Sequence, residues 1–282
     1  MMIDSPNTPL WLRASAVYVT ALLATVFVFI TFCAAEGLFM SGPTLFTSVW
    51  HPETQDFGIL PMIAATAALS LSSLALGWLI SFGCICYIHG FGEKYSASLL
   101  LSLLRLMTAI PTVVYGFASV FLLVPLIRDG MGGSGFSWFT ATLVLSLLIT
   151  PTIVLTMESA VAQTARESRL AAESLGLSRA EHLVYVVLPA CREWLWGAAL
   201  LGFGRAAGDT MIPTMLAGNA VQYPVSPFEA IRTLTAHIGL VLSSDVGGTA
   251  YYSLFVAGGI LLALSTGANI LFRAIRRGSE RG

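Results

Sequence analysis

Arg205 and Asp209 stand four residues apart inside an apolar run from about Leu195 to Leu216. On a helix that spacing puts both on one face, where they can approach each other. A charge at a bilayer centre costs at least about 2.5–3.5 kcal/mol and is tolerated where it meets a partner or a wet path. The chemistry this pair can do is anion handling. The planar fork of arginine donates two parallel hydrogen bonds to an oxyanion. A carboxylate one turn away neutralises the fork when no anion is bound, which weakens the hold enough for release. Two roles stand open: a face lining an oxyanion path, or a structural ion pair locking this segment to a neighbour. Thr210, beside Asp209, offers a hydroxyl to the path or bonds back to the carbonyl four residues earlier. Thr112 and Tyr115 flank Pro111 and offer hydroxyls to the path, to packing or to freed backbone groups.

These residues sit in a chain whose composition excludes a soluble domain. Hydrophobic residues make up 56% and charged residues 10% of it, against about 25% charged in a typical globular domain. Mean hydropathy is +0.81. A net charge of −1 gives no basic surface for nucleic acid. The four histidines show no ligand spacing and no nucleophile motif is present, so neither a metal nor a catalytic residue is expected. Cys84-x-Cys86 places its thiols on different sides of a helix, a poor geometry for a metal or a disulfide. Cys33, Cys84, Cys86 and Cys191 are therefore expected to be buried, inert thiols.

The elements that position Arg205 and Asp209 are membrane spans. A crossing needs about 20 apolar residues, and six runs supply them: Leu10–Ala35, Leu60–Ile88, Leu99–Ile127, Phe139–Met157, Leu195–Leu216 and Tyr251–Phe272. The first is too long for a signal-peptide core of about 7–15 residues and is expected to remain as a span. With the N-terminus inside, the inner segments carry Arg13, Lys94, Arg166, Arg169, Arg179, Arg192, Arg273, Arg276, Arg277 and Arg281, and the outer ones only Arg128 and Arg232. This bias puts both termini in the cytoplasm. Arg105 and Arg205 are left within spans; Arg105 reaches the interface or an acidic partner. Among the outer acids, Glu53, Asp56, Glu229 and Asp245 are candidates for contact with a binding protein.

Pro111, Pro151 and Pro213 each remove a helical hydrogen bond, a loss tolerated in lipid where protein or a wet cavity satisfies the freed backbone. Gly204 and Gly208 allow another helix to come close. Such features together describe moving spans rather than a static anchor.

The segment between spans four and five, Glu158 to Arg192, encodes a folded elbow. Ala171, Ala172 and Leu175 lay small and apolar side chains along one helix. Gly176 suits the left-handed position that closes it. Ser178, with Glu181 three residues on, is a capping box for a second helix, which Leu188-Pro189 interrupts. Small residues on a short exposed helix fit a groove in another protein.

This segment resembles the EAA loop of ABC-importer permeases: Glu-Ala-Ala, three residues, Gly, nine residues, an aliphatic residue, one residue, Leu-Pro. Ala171, Ala172, Gly176, Val186, Leu188 and Pro189 fall in register, while Leu170 replaces the leading Glu. Further stretches are similar to phosphate-specific importer permeases. They are Trp50-His51-Pro52 with Phe57-Gly58-Ile59-Leu60-Pro61; Ala109 to Phe117, like their IPSVVYG element; and Gly204 to Met211 with Gly218-Asn219, like GRALGETM…GN. The first and last resemble the PstC subunit more than PstA. Asp209 departs from the pattern by replacing Glu, and Arg105 stands where an acidic residue is expected.

The resemblance implies an all-α polytopic fold of six transmembrane helices, the type I ABC importer or MetI-like permease fold. Residues 1–58 would form an N-terminal helix and extracytoplasmic loop. Residues 59–277 would form a five-helix permease core with its coupling loop at 158–192, and 278–282 a cytoplasmic tail. Ala171, Ala172, Glu173, Leu175, Gly176, Leu177 and Ser178 would couple to an ATPase, and Pro111, Pro151, Pro189, Pro213, Gly204 and Gly208 would serve helix breaks and gating. The implied partners are a PstA-like permease, a PstB-like ATPase dimer and a PstS-like extracytoplasmic phosphate-binding protein, in a bacterial inner membrane. The chain has no G-x-x-x-x-G-K-[ST] and a single lysine, Lys94, so ATP and Mg belong to the partner ATPase and no cofactor to this chain. Alternatives are a permease for molybdate, tungstate or sulfate, and an ATP-independent transporter or channel.

Overall fold

A computed structural model describes residues 9–54, 56–242 and 249–279. Asp245 and Arg281 lie outside the described residues. The fold is almost wholly helical, as the sequence leads one to expect. Helix α1 (Leu10–Ser41) is followed by a 3-10 turn and a two-stranded antiparallel hairpin, β1 (Trp50–His51) and β2 (Asp56–Phe57). Then come α2 (Leu60–Cys86), α3 (Lys94–Ala109), α4 (Thr112–Met131) and α5 (Trp138–Ser174). The short α6 (Arg179–His182) and α7 (Leu188–Ala190) lead to α8 (Arg192–Gly208), α9 (Met211–Leu216), α10 (Leu234–Val241) and α11 (Thr249–Ser279). Among the described residues five helices are long and apolar enough to cross a membrane; the pair Arg179–Ala190 and Arg192–Gly208, bent by 73°, makes a sixth if counted as one span.

Helices α2, α5 and α8 form the centre. Ile149 and Ile153, one turn apart on α5, slot onto glycines of the two neighbours. A Cβ on Gly77 of α2 would lie 2.9 Å from Ile149, and one on Gly202 of α8 would lie 2.6 Å from Ile153. Small residues thus let these backbones close up where lipid supplies no hydrophobic drive. Helix α1 packs along α11 by the same device, with Gly259 against Ala34 and Gly37 against the Tyr252 carbonyl. Hydroxyls stitch the centre together: Ser72 meets Thr142 at 3.0 Å and accepts from the Trp138 indole at 3.0 Å.

Helix α5 runs unbroken for 37 residues. Its first residues are tied to the loop after α9, through Ser137 N to Leu216 O, Trp138 N to Glu229 O and Phe139 N to Pro227 O. Its last turn enters the elbow. Loop and elbow therefore lie at opposite ends of the molecule, about 55 Å apart along α5.

The Trp50…Pro61 stretch packs at the loop end. Trp50 and Phe57 pair across the hairpin, rings 5.4 Å apart, and Trp50 stands edge-on to His237 of α10 at 4.5 Å. Gly58 is pressed against the Thr47 carbonyl so closely that a side chain would collide with it. Burial, aided by the Arg232 charge, pushes His237 down to about 3, so its ring is neutral at ordinary pH. Its Nε2 meets Ser253 Oγ at 2.9 Å. Asp56 is engaged within the hairpin by the Thr54 hydroxyl.

Three expectations change. The third run is not one helix: α3 ends at Ala109, Ile110 and Pro111 are extended, and the span proper is Thr112–Met131. The fifth run stops at Gly208, and Pro213 lies inside α9 beyond the break. Pro151 breaks nothing: α5 continues through it, buried against its neighbours, with the Ser81 hydroxyl near the Thr150 carbonyl at 3.4 Å.

Candidate functional site

At the end of α8 the backbone of Asp209 is extended, and helix resumes at Met211. The break is closed by side chains. Asp209 Oδ2 accepts from Ile212 N at 2.8 Å, capping α9, and the Asp209 carbonyl accepts from Thr235 Oγ1 at 2.8 Å. That carbonyl is the group Pro213, lacking an N–H, cannot serve.

This geometry revises the expected ion pair. Among the described residues the ion pairs are Arg128–Asp129 and Arg169–Glu173; Arg205 and Asp209 form none. The carboxylate is drawn to the α9 amides, because a helix N-terminus offers free N–H donors. Arg205 makes no hydrogen bond with any described residue, although its charge is close enough to act on Tyr115 and Asp209. It lies on an α8 face with Leu201, Gly204 and Gly208 that is exposed, while Ala198, Gly202, Ala206 and Ala207 are buried on the other side. Side chains added at Gly204 or Gly208 would meet open space; within this chain the close helix approach is at Gly202 instead.

The hydroxyl candidates divide. Tyr115 donates to the Met107 carbonyl at 3.0 Å, the carbonyl four residues before Pro111, so it seals the break. Thr112 and Thr210 make no side-chain hydrogen bond among the described residues, so the expected back-bond of Thr210 is absent. It is Thr214 that back-bonds, to Thr210 O at 2.6 Å. Arg105 is exposed on α3.

The elbow matches its sequence signals closely. Gly176 has φ +71°. Leu177 N bonds to Ala172 O and Gly176 N to Glu173 O, both at 3.1 Å, the Schellman closure. Ser178 and Glu181 form the reciprocal capping box. Hydrogen bonds from the Ser178 hydroxyl and amide hold the Glu181 carboxyl below its usual range. The cap is therefore whole at neutral pH and is lost only as pH falls through that lowered value. His182 Nε2 meets Ser168 Oγ at 2.8 Å, tying α6 back to α5. Leu183 to Val187 form a π-turn and helix continues through Leu188 and Pro189 in α7, so the interruption expected at Leu188-Pro189 falls at Cys191 instead.

Not all expected coupling residues face outward. Ala172 is buried. Glu173 pairs with Arg169 at 2.7 Å and, with Leu177 and Ser178, borders a polar cleft at the elbow. The exposed surface of the elbow is made by Ala171, Glu173, Leu175, Gly176 and Ser178, joined by Leu170 and Ser174. Leu170 and Leu175 are 80% and 76% exposed, which makes the surface apolar where the usual motif has a Glu. All four cysteines are free; Cys191 is buried as expected, whereas Cys33, Cys84 and Cys86 are only partly covered.

A bundle of spans with an exposed cation beside a break, and an apolar elbow at one end, defines a multi-pass membrane permease subunit worked from outside its own chain. The comparisons give the family. Residues 80–281 match the binding-protein-dependent transport system inner membrane component model, and the chain belongs to that family. It is 30% identical over 224 residues to the probable ABC transporter permease protein YqgH of Bacillus subtilis (strain 168), covering 77% of this chain and 71% of that protein. It is 26% identical over 275 residues to the phosphate transport system permease protein PstC of Pasteurella multocida (strain Pm70), covering 90% and 86%. Its fold is that of a chain in an inward-facing structure of the MetNI methionine ABC transporter, with a TM-score of 0.62 at 15% identity, covering 82% and 99%.

Proposed function

We propose that this chain is the PstC-type half of a phosphate importer. It is a transport subunit rather than an enzyme, and ATP hydrolysis belongs to a separate ATPase subunit. Arg205 carries the reading. A guanidinium inside the bilayer, exposed on a glycine-lined face and without a counter-ion among the described residues, needs a wet path or a partner. An oxyanion in that path supplies the missing charge. The Asp209 carboxylate, held aside on α9, lowers the local positive potential without occupying the fork, so the hold stays weak enough for release.

The glycine-lined α8 face meets a PstA-like second permease, and the phosphate path runs between the two. The outer elbow surface, Leu170 to Gly176, docks on a PstB-like ATPase dimer that binds ATP and Mg, and a PstS-like protein delivers phosphate at the loop end. The elbow is cytoplasmic, as are both termini. ATP-driven closure of the ATPase pair pulls the Gly176 region, and the broken spans rock.

The test is reconstitution of the four components in proteoliposomes with labelled phosphate. ATP-dependent uptake that excess sulfate, molybdate and tungstate fail to compete supports the reading. Competition by one of those anions, or uptake without nucleotide, sinks it.

A further inference from the structure

We propose that Arg232 is an outer oxyanion-binding site from which the anion passes inward to Arg205; this rests on the oxyanion path proposed above. By sequence Arg232 is only one of two cations on the outer side. Its setting makes it more than a surface charge.

Residues 231–235 return along the length of α9. At the loop end Ile231 N bonds to Ala217 O at 2.8 Å and Asn219 N to Ile231 O at 3.1 Å. At the other end Thr235 reaches the Asp209 carbonyl. Asn219 adopts the left-handed conformation, φ 57°, and its carbonyl accepts from Arg232 Nε at 2.9 Å. The Asn219 side chain is itself fixed, Nδ2 to Thr214 O at 2.7 Å. The guanidinium is thus gripped by one edge. Its terminal nitrogens make no hydrogen bond or ion pair among the described residues, and the side chain is half-buried. His237, whose ring the Arg232 charge helps keep neutral, offers it no negative charge.

A part-buried cation without a counter-ion is costly, and a fork with its end free is the geometry that takes an oxyanion in two parallel bonds. Arg232 marks one end of α9 and the Asp209 break, beside Arg205, the other. Between them lies a six-residue helix, about 9 Å long. Two incomplete sites at the two ends of α9 hold an anion firmly enough to admit it and weakly enough to pass it on.

The test uses the reconstituted complex with its receptor protein, comparing Arg232→Gln and Arg232→Lys per assembled complex. Two readouts are taken: phosphate uptake and receptor-stimulated ATP hydrolysis. The site predicts that Gln lowers uptake about tenfold, Lys by only about threefold, and that ATP hydrolysis is kept in both. Wild-type uptake in the Gln variant overturns it. So does equal loss in Gln and Lys, which assigns Arg232 to gripping Asn219, a bond Lys cannot make through Nε. Loss of ATP hydrolysis in step with uptake assigns it to receptor docking and also overturns the site. Should the Gln variant fail to assemble, the Lys variant decides by the same threefold and tenfold marks. Failure of the wild-type complex to take up phosphate takes down the substrate reading and this site together. Wild-type uptake with an unimpaired Gln variant sinks the outer site alone.

Discussion

The chain interrupts its helices at Ile110–Pro111 and again at Asp209–Thr210, and the two breaks are built differently. At the first, a proline withholds the amide and Tyr115, four residues on in the same chain segment, closes the gap onto Met107. The freed carbonyl is served locally and no charge is left over, although the Thr112 hydroxyl makes no side-chain hydrogen bond among the described residues. At the second, the proline lies beyond the break, and the orphaned Asp209 carbonyl is met by Thr235 from a distant segment. The Asp209 carboxylate is spent on capping α9, and Arg205 is left over. A break that leaves no charge over reads as structural. A break that leaves a cation without a partner among the described residues is the one the proposed oxyanion fits.

Three variants test that contrast. The largest effect is expected from Arg205→Ala, which removes charged hydrogen bonds worth about 1.5–3 kcal/mol, or roughly 10- to 100-fold in phosphate uptake. Assembly should survive, because the guanidinium makes no hydrogen bond or ion pair among the described residues. Undiminished uptake in assembled complexes would erase the difference between the two breaks. Tyr115→Phe should act on stability instead: the Met107 carbonyl would keep only its 3.4 Å bond from Ile110 N, a loss of about 0.5–1.5 kcal/mol, read as a lowered thermal midpoint, with uptake per assembled complex changed by less than about twofold. A transport defect without loss of stability would put Tyr115 on the path. The smallest effect is expected from Pro151→Ala, since α5 is already continuous there. Midpoint and uptake should both stay within about 1 kcal/mol of wild type; a strong transport change would reveal a hinge in α5.

What could be read from the sequence followed the range of the interactions. The elbow was readable almost residue by residue because its signals are local: Gly176 at positive φ and Ser178 with Glu181 both act within a few positions. The Pro111 break was local too. The second break was misplaced to Pro213, because its closure depends on Thr235, 26 residues from Asp209 in the chain, and no periodicity reports that. The i, i+4 spacing of Arg205 and Asp209 implied a pair only on a continuous helix, and the capping demand of α9 removed that premise. Pro151 misled in the opposite sense, since close packing sustains a helix that propensity would interrupt. Arg232 gave no signal beyond its charge; a Gly-Asn turn followed by an arginine is the one hint that its fork is held.

The uninterrupted α5 has a mechanical corollary. A rod about 55 Å long carries the elbow at one tip, while its other tip is fastened to Leu216, Pro227 and Glu229, next to the strip bearing Arg232. Each degree of tilt imposed at the first tip sweeps the second by about 1 Å. The elbow and the loop carrying Arg232 are thus two ends of one stiff lever.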